Sequence, residues 1–196
     1  MDDKTRKAVQ DWRWLIKREE LKEIINWWDS IGPVDEKFFK SSAIQFDTPE
    51  SYRRQVIRAY ISAKMPKPFF EGLKKITCYR HTWKNSAGDD CLGFYRDGTI
   101  FLHPDEFTSP GGVKSTAIHE LGHHVDSMLE YEISNIDLSK KLKAINKKHP
   151  GRFKNSRELF ATIFKAAFED GFSKEFLEGY TGVPNLRPGM FKTKTK

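Results

Sequence analysis

His119, Glu120 and His123 stand in the order His-Glu-x-x-His within Ser115-Thr116-Ala117-Ile118-His119-Glu120-Leu121-Gly122-His123-His124-Val125-Asp126. On a helix the i and i+4 side chains are neighbours, so His119 and His123 can aim two imidazoles at one metal ion. Glu120 lies about 100° round the helix from His119, within reach of a metal-activated water without taking a ligand position. That is the chemistry of metal-assisted hydrolysis, in which zinc lowers the pKa of water and a carboxylate takes its proton. The flanks support a helix. Ile118, Leu121, Val125 and Leu129 form an apolar stripe at helical spacing, while His119, His123, Asp126 and Glu130 form a polar stripe on another face. Gly122 costs roughly 1 kcal/mol of helix propensity in such an interior position, which implies another element crossing close to it.

Two imidazoles alone make a poor site for a tetrahedral ion, so the class of site turns on a third ligand. The metzincin pattern requires a Gly and a His at fixed offsets after the second His. Asp126 and Leu129 occupy those offsets, and the pattern fails. A carboxylate from a later helix would complete a set of two His and one Glu. Glu158, within Asn155-Ser156-Arg157-Glu158-Leu159-Phe160-Ala161-Thr162-Ile163-Phe164, offers one at the start of a segment with a broad apolar face. The same residue could instead close a capping box with Asn155, because Asn-x-x-Glu ahead of an apolar run is a helix-start signature. A first-turn Glu suits either use. Were it only a cap, the third ligand would have to come from Asp126, Glu130 or Glu132. His124, on the helix flank, and His81 and His103, at strand ends, are read as bystanders.

His119-Glu120-Leu121-Gly122-His123-His124-Val125-Asp126, followed later by Glu158-Leu159-Phe160-Ala161 and Phe164, resembles the zinc-peptidase domain of the anthrax lethal factor group. That group is a gluzincin branch with uncharacterised relatives in bacteria and their mobile elements. The resemblance spans about residues 92–170 and is specific in the two motif helices. It implies an α+β, zincin-like metallopeptidase domain, with a small mixed sheet, an active-site helix and a later ligand helix. It further implies zinc held by His119, His123 and Glu158, Glu120 as general base, and a protein or peptide substrate. The strand just ahead of the zinc helix would be the sheet edge that pairs with an extended substrate. One position departs from the group: Gly151 stands where its pattern has a tyrosine that helps to stabilise the oxyanion. His149, Arg152 and Tyr131 are the nearest substitutes along the chain. Beside a zinc-dependent metalloendopeptidase, the departure keeps open a catalytically weak or inactive zincin-fold domain acting as a zinc-binding interaction module. A further alternative has the catalytic part carried by an aromatic N-terminal helix that docks on a partner.

Several elements must position these residues. A helix is expected over 3–29, carrying Trp12, Trp14, Trp27 and Trp28 and ended by Ser30-Ile31-Gly32-Pro33. A short helical piece follows at 36–41. A longer helix should start at Asp47-Thr48-Pro49-Glu50 and run to about residue 64, burying Tyr52, Val56, Tyr60 and Ile61. Met65-Pro66-Lys67-Pro68 divides an N-terminal helical segment, 1–66, from the catalytic domain, 67–196, unless the two form one compact unit. Strands are expected at 76–82, 92–96 and 99–103, the last two a hairpin across Asp97-Gly98, with a loop at 84–90. Helices should follow at about 113–131, 136–148, 156–170 and 173–179.

Composition narrows the partners. With 38% hydrophobic and 13% aromatic residues in 196, the chain can bury a real core and is not generally disordered. No apolar run reaches the roughly 18–20 residues that span a bilayer. Met1-Asp2-Asp3-Lys4-Thr5-Arg6-Lys7 leads into a charged helix, not a secretory signal, so the expected location is the cytoplasm, with signal-independent export left open. Cys78 and Cys91 read as free thiols of a reducing compartment or as a cross-strand pair. The net charge of +7 is concentrated at Lys140, Lys141, Lys143, Lys147, Lys148, Arg152 and Lys154. No nucleic-acid recognition motif accompanies them, so they read as a solvated helix face. Neither a membrane nor a nucleic-acid partner is expected.

Overall fold

The computed structural model describes residues 32–81, 83–84, 90–108, 111–128, 130–131, 134, 142, 147 and 155–169. The helices expected over 3–29, with its tryptophans, and over 173–179 lie outside those residues, and of the one expected over 136–148 only residues 142 and 147 are described.

Local chemistry explains where the first elements start. Asp35 accepts a hydrogen bond from the Phe38 N–H at 2.7 Å, which caps helix α1 (Glu36–Ser41) and directs Phe39 into the core. The stretch that follows holds a strand not expected from the sequence, β1 (Gln45–Asp47). Asp47 is therefore not a helix cap: its carboxylate pairs with Lys75 Nζ at 2.8 Å. Helix α2 (Glu50–Ser62) begins only after Pro49, since a residue preceding proline is held extended. It buries Val56, Ala59 and Tyr60, while Tyr52 and Ile61 are only partly buried against the core. A 3-10 turn at Lys67–Phe70 then carries Phe69 and Phe70 inward.

Strand β2 (Lys75–Cys78) stops short of the expected end at residue 82. β3 (Trp83–Lys84) and β4 (Asp90–Cys91) pair antiparallel at the two ends of the stretch read as a loop. The main sheet adds β5 (Gly93–Arg96) and β6 (Thr99–Leu102), in the order β1-β2-β6-β5. Its first three members run parallel and β5 antiparallel. Asp97 and Gly98 have φ of 50° and 82°, the paired left-handed residues of the type I′ hairpin turn that Asp-Gly favours. The strand just ahead of the metal-motif helix, β6, is interior, so the expectation that it forms the edge is corrected. The hairpin folds β5 outside it and makes Gly93–Arg96 the edge of the sheet among the described residues.

Beyond a second 3-10 turn at Pro104–Phe107 lies helix α3 (Gly112–Met128), which carries the His-Glu-x-x-His motif, and later helix α4 (Ser156–Glu169). α3 is enclosed by α2, α4, β5, β6 and both 3-10 turns. Its apolar stripe of Ile118, Leu121 and Val125 is fully buried, with Ile76, Ile100 and Leu102 of the sheet and Leu159, Phe160, Phe164 and Phe168 of α4 in the same core. Tyr60 donates to the Ala117 carbonyl at 3.1 Å, tying α2 to α3. The chain passes through Met65-Pro66-Lys67-Pro68 without leaving this core: Val34 N–H bonds to the Met65 carbonyl at 2.7 Å, and β1 belongs to the same sheet as β2. The architecture is α+β, with a small mixed sheet on one side of a central helix. Among the described residues no helix is long and apolar enough to cross a membrane.

The crossing that Gly122 implied is that of α3 with α4. A Cβ on Gly122 would lie 3.1 Å from the Ala161 Cα and 3.1 Å from Phe164 Cδ1. The first of these is backbone and cannot swing aside. Gly122→Ala should therefore destabilise the fold by roughly 1–2 kcal/mol, overpacking outweighing the gain in helix propensity. Denaturant unfolding checks this; a variant more stable than the native protein would show that the helices part without cost.

Candidate metal centre

Asn155 accepts a hydrogen bond from the Glu158 N–H at 2.9 Å, so the cap expected at the start of α4 is present. The carboxylate of Glu158 turns the other way, toward α3. Its Oε2 lies 3.4 Å from His119 Nε2 and its Oε1 lies 3.3 Å from His123 Nε2. Only half of the expected capping box forms: Asn155 caps the Glu158 N–H, while the Glu158 side chain meets the imidazoles instead of turning back to Asn155. The rings of His119 and His123 stand edge to face, with centroids 4.9 Å apart at 86°. Donor atoms of His119, His123 and Glu158 all fall within 4.8 Å of one another, and no other such trio occurs among the described residues.

Two imidazole nitrogens and a carboxylate are the donor types of a catalytic zinc site. Zinc holds such ligands at about 2.0–2.2 Å, so neighbouring donors on a tetrahedron are separated by roughly 3.4 Å. The Glu158 oxygens stand at that spacing from both histidines. The residues present therefore fit the ion. With its side chain 42% exposed, Glu158 also leaves the trio open to solvent.

The electrostatics follow from burial and from these contacts. The imidazoles of His119 and then His123 hold the Glu158 carboxyl far below the usual carboxylate range. Burial alone would lower the His123 pKa, yet Glu158, with Glu120 and Asp126 behind it, raises it. Glu120 is 4% exposed. Burial raises its pKa, against the opposing pull of His119 and His123. Among the described residues its Oε2 has no hydrogen-bond partner. Such a carboxylate is short of stabilising contacts and takes up a proton readily.

The edge strand roofs Glu120. A Cβ on Gly93 would lie 2.5 Å from Thr116 Cγ2 and 3.0 Å from Glu120 Oε1, so β5 passes this close only because residue 93 lacks a side chain. Thr116 in turn donates its hydroxyl to the buried carboxylate of Glu106. Neither Gly93 nor Glu106 was singled out from the sequence. An isolated glycine within a strand was the available signal for the first.

Other candidates separate. Asp126 is fully buried, one turn past His123, and among the described residues Ser134 is the polar group that pulls on its carboxylate by hydrogen bonding. Glu130 is exposed beyond the end of α3, and Glu132 lies outside the described residues. His124 is not on an open flank but buried. His103 accepts from the Asp105 N–H at 3.3 Å and caps a 3-10 turn, while His81 is exposed in a bend past the end of β2, not at a strand end. Tyr131 donates to Ser127 Oγ at 3.3 Å, and its ring lies 3.9 Å from the Arg157 guanidinium carbon. Gly151, His149 and Arg152 lie outside the described residues. Cys78 is a free thiol, so the cross-strand pair with Cys91 does not form.

Compared with protein-family models, with curated proteins and with solved structures, the chain has no match.

Burial pushes the Asp126 carboxyl up from 3.8 to about 6, against opposing pulls from Ser134, His123 and Arg157. An acid whose folded pKa exceeds its unfolded value stabilises the fold below the unfolded value and loses that contribution as pH rises through the folded one. In the presence of chelator, the native protein should therefore lose stability relative to Asp126→Asn between pH 3.8 and about pH 6. Denaturation midpoints measured across that window check this; parallel pH profiles would mean that Asp126 finds a compensating partner.

Proposed function

We propose that the chain is a zinc-dependent metalloendopeptidase of zincin-like fold, with His119, His123 and Glu158 as zinc ligands and Glu120 as general base. The observation that carries the reading is the pair of contacts from one Glu158 carboxylate to both motif histidines, at 3.4 and 3.3 Å. When bound, zinc would supply Lewis acidity, polarising a carbonyl and making water acidic near neutral pH. The remaining work falls to the protein. Glu158 stays an anion because the imidazoles beside it favour that form. Glu120, buried with an unsatisfied oxygen, is suited to receive a proton from the attacking water and to pass it to the leaving amine.

Binding of an extended substrate is supported by the geometry of the edge strand. His103 N–H bonds to the Leu92 carbonyl at 2.9 Å. In an antiparallel ladder the residues bonded to the partner alternate, so Phe94 and Arg96 turn their backbone groups to β6. Gly93 and Tyr95 turn theirs to the open side, where a peptide can pair with them. Gly93 lies against Glu120, so a peptide paired there would run beside the base.

A zinc-binding interaction module is the competing reading. It is favoured by Tyr131, which is engaged with Ser127 and Arg157 rather than free to serve an oxyanion, and by Gly151 at the position of the resembled group's tyrosine.

Metal analysis and chelator competition, run beside a peptide-hydrolysis assay, separate the two. The peptidase reading expects about one zinc per chain, and zinc affinity lowered by orders of magnitude in both Glu158→Ala and Glu158→Gln. Glu120→Gln should keep its zinc and lose hydrolysis, because that side chain handles the proton and not the metal. Zinc affinity unchanged in both Glu158 variants would refute the ligand set. Zinc bound without hydrolysis in the native protein would favour the module.

A further inference from the structure

We propose that His124 is a positioning residue: it locks the edge strand in place along the motif helix, so that the open backbone groups of Gly93 and Tyr95 sit beside Glu120. The inference rests on the peptidase reading above and assigns the residue that fixes its substrate edge.

His124 is 3% exposed and bridges three elements. Its Nε2 lies 2.9 Å from the Glu71 carbonyl. A carbonyl only accepts, so Nε2 carries the proton and Nδ1 is the acceptor. The Tyr95 hydroxyl, 3.3 Å from Nδ1, therefore donates to it. The Tyr95 oxygen in turn accepts from the Gly98 N–H at 3.0 Å. The Gly98 carbonyl accepts from Lys74 and Lys75 at 2.8 and 3.2 Å. Each hydrogen is used once and in one direction. The relay runs from the segment after the first 3-10 turn, through α3 and β5, into the hairpin turn and the start of β2.

The spacing links this relay to the site. Gly93 and Tyr95 are about 6.8 Å apart along an extended strand, and Glu120 and His124 are about 6 Å apart along a helix. The two repeats nearly coincide, so a strand pinned by Tyr95 at His124 presents Gly93 at Glu120, where it is found. A slip of one residue would turn Phe94 toward the helix and swing the open backbone groups of β5 toward β6. A histidine serving only to fill space would not need bonds from both ring nitrogens to different elements.

The test uses the zinc-loaded full chain and a blocked random decapeptide library as probe. His124→Phe keeps the ring volume without its nitrogens, Tyr95→Phe removes the hydroxyl, and His124→Gln retains one donor and one acceptor. Loss of one or two buried hydrogen bonds should raise KM by about tenfold or more in both phenylalanine variants, with kcat changed less and zinc content intact. The same rise should appear in the library Kd measured in a Glu120→Gln background, and exchange of the Gly98 amide should accelerate by a similar factor. His124→Gln should recover most of the loss. A fall in kcat with KM unmoved, or a KM rise that glutamine does not recover, would leave His124 a packing residue only. A native protein that holds zinc but neither cleaves nor binds the library would defeat the peptidase reading. The amide exchange then decides alone: acceleration in His124→Phe sustains the positional role, and unchanged exchange overturns it.

Discussion

How near α4 comes to α3 decides whether a carboxylate on one helix can touch imidazoles on the other. Gly122 sets that approach, with Ala161 and Phe164 occupying the space where its side chain would be. The aromatic rows behind the crossing hold α4 there, Phe69 meeting Phe164 and Phe168 with centroids at 5.1 and 5.7 Å. Glu158 lies one turn before Ala161 on α4, and His119 and His123 flank Gly122 on α3, so packing and donor geometry are two readings of one contact. A ligand set delivered by side chains from separate helices needs a rigid crossing, because small displacements spoil donor spacing.

The same enclosure governs the charges. A helix packed on nearly every side buries its polar residues with its apolar ones, and α3 carries Glu120, His124 and Asp126 inward. His124 is satisfied by the Glu71 carbonyl and Tyr95. Glu120 Oε2 has no hydrogen-bond partner among the described residues, the burial of Asp126 is opposed only by Ser134 and more distant charges, and burial raises both pKa values. Unpaired buried carboxylates cost stability, and here they gather around two imidazoles with Glu106 and Glu158 close by. On the proposed reading, that stability is given up where proton uptake and cation binding would take place.

The motif helix, the Glu158 helix and the Asp-Gly hairpin were legible in the sequence because each is specified locally: by helical spacing, by a cap, by a turn dipeptide. Gly122 was legible too, since a glycine inside a helix requires a neighbour. What escaped depends on distant pairing. β1 is three residues long, too short for alternation to register. The order of β5 and β6 in the sheet is fixed by which of them meets β2, and a hairpin sequence is the same in either arrangement. The burial of Asp126 on the polar stripe and of His124 on the flank is not legible, because periodicity reports one apolar stripe and is silent about how many sides of a helix are covered. Glu158 was ambiguous for a better reason: a first-turn position suits a side chain turned back to the cap as well as one turned across to a neighbouring helix, and the structure shows the second.

The open edge of the sheet carries a risk along with its use. An unpaired strand accepts any extended chain, including another copy of the same protein. β5 limits this by being short, four residues, of which only Gly93 and Tyr95 turn free backbone groups outward. Beyond them stand Arg96 and Asp97, both exposed and paired to each other at 3.4 Å. Two residues of backbone pairing suffice to orient a guest, but they are too few for a lasting intermolecular sheet. If the edge receives a peptide as proposed, one length sets both that pairing and self-association, and extending β5 by a single alternating pair would strengthen the two together.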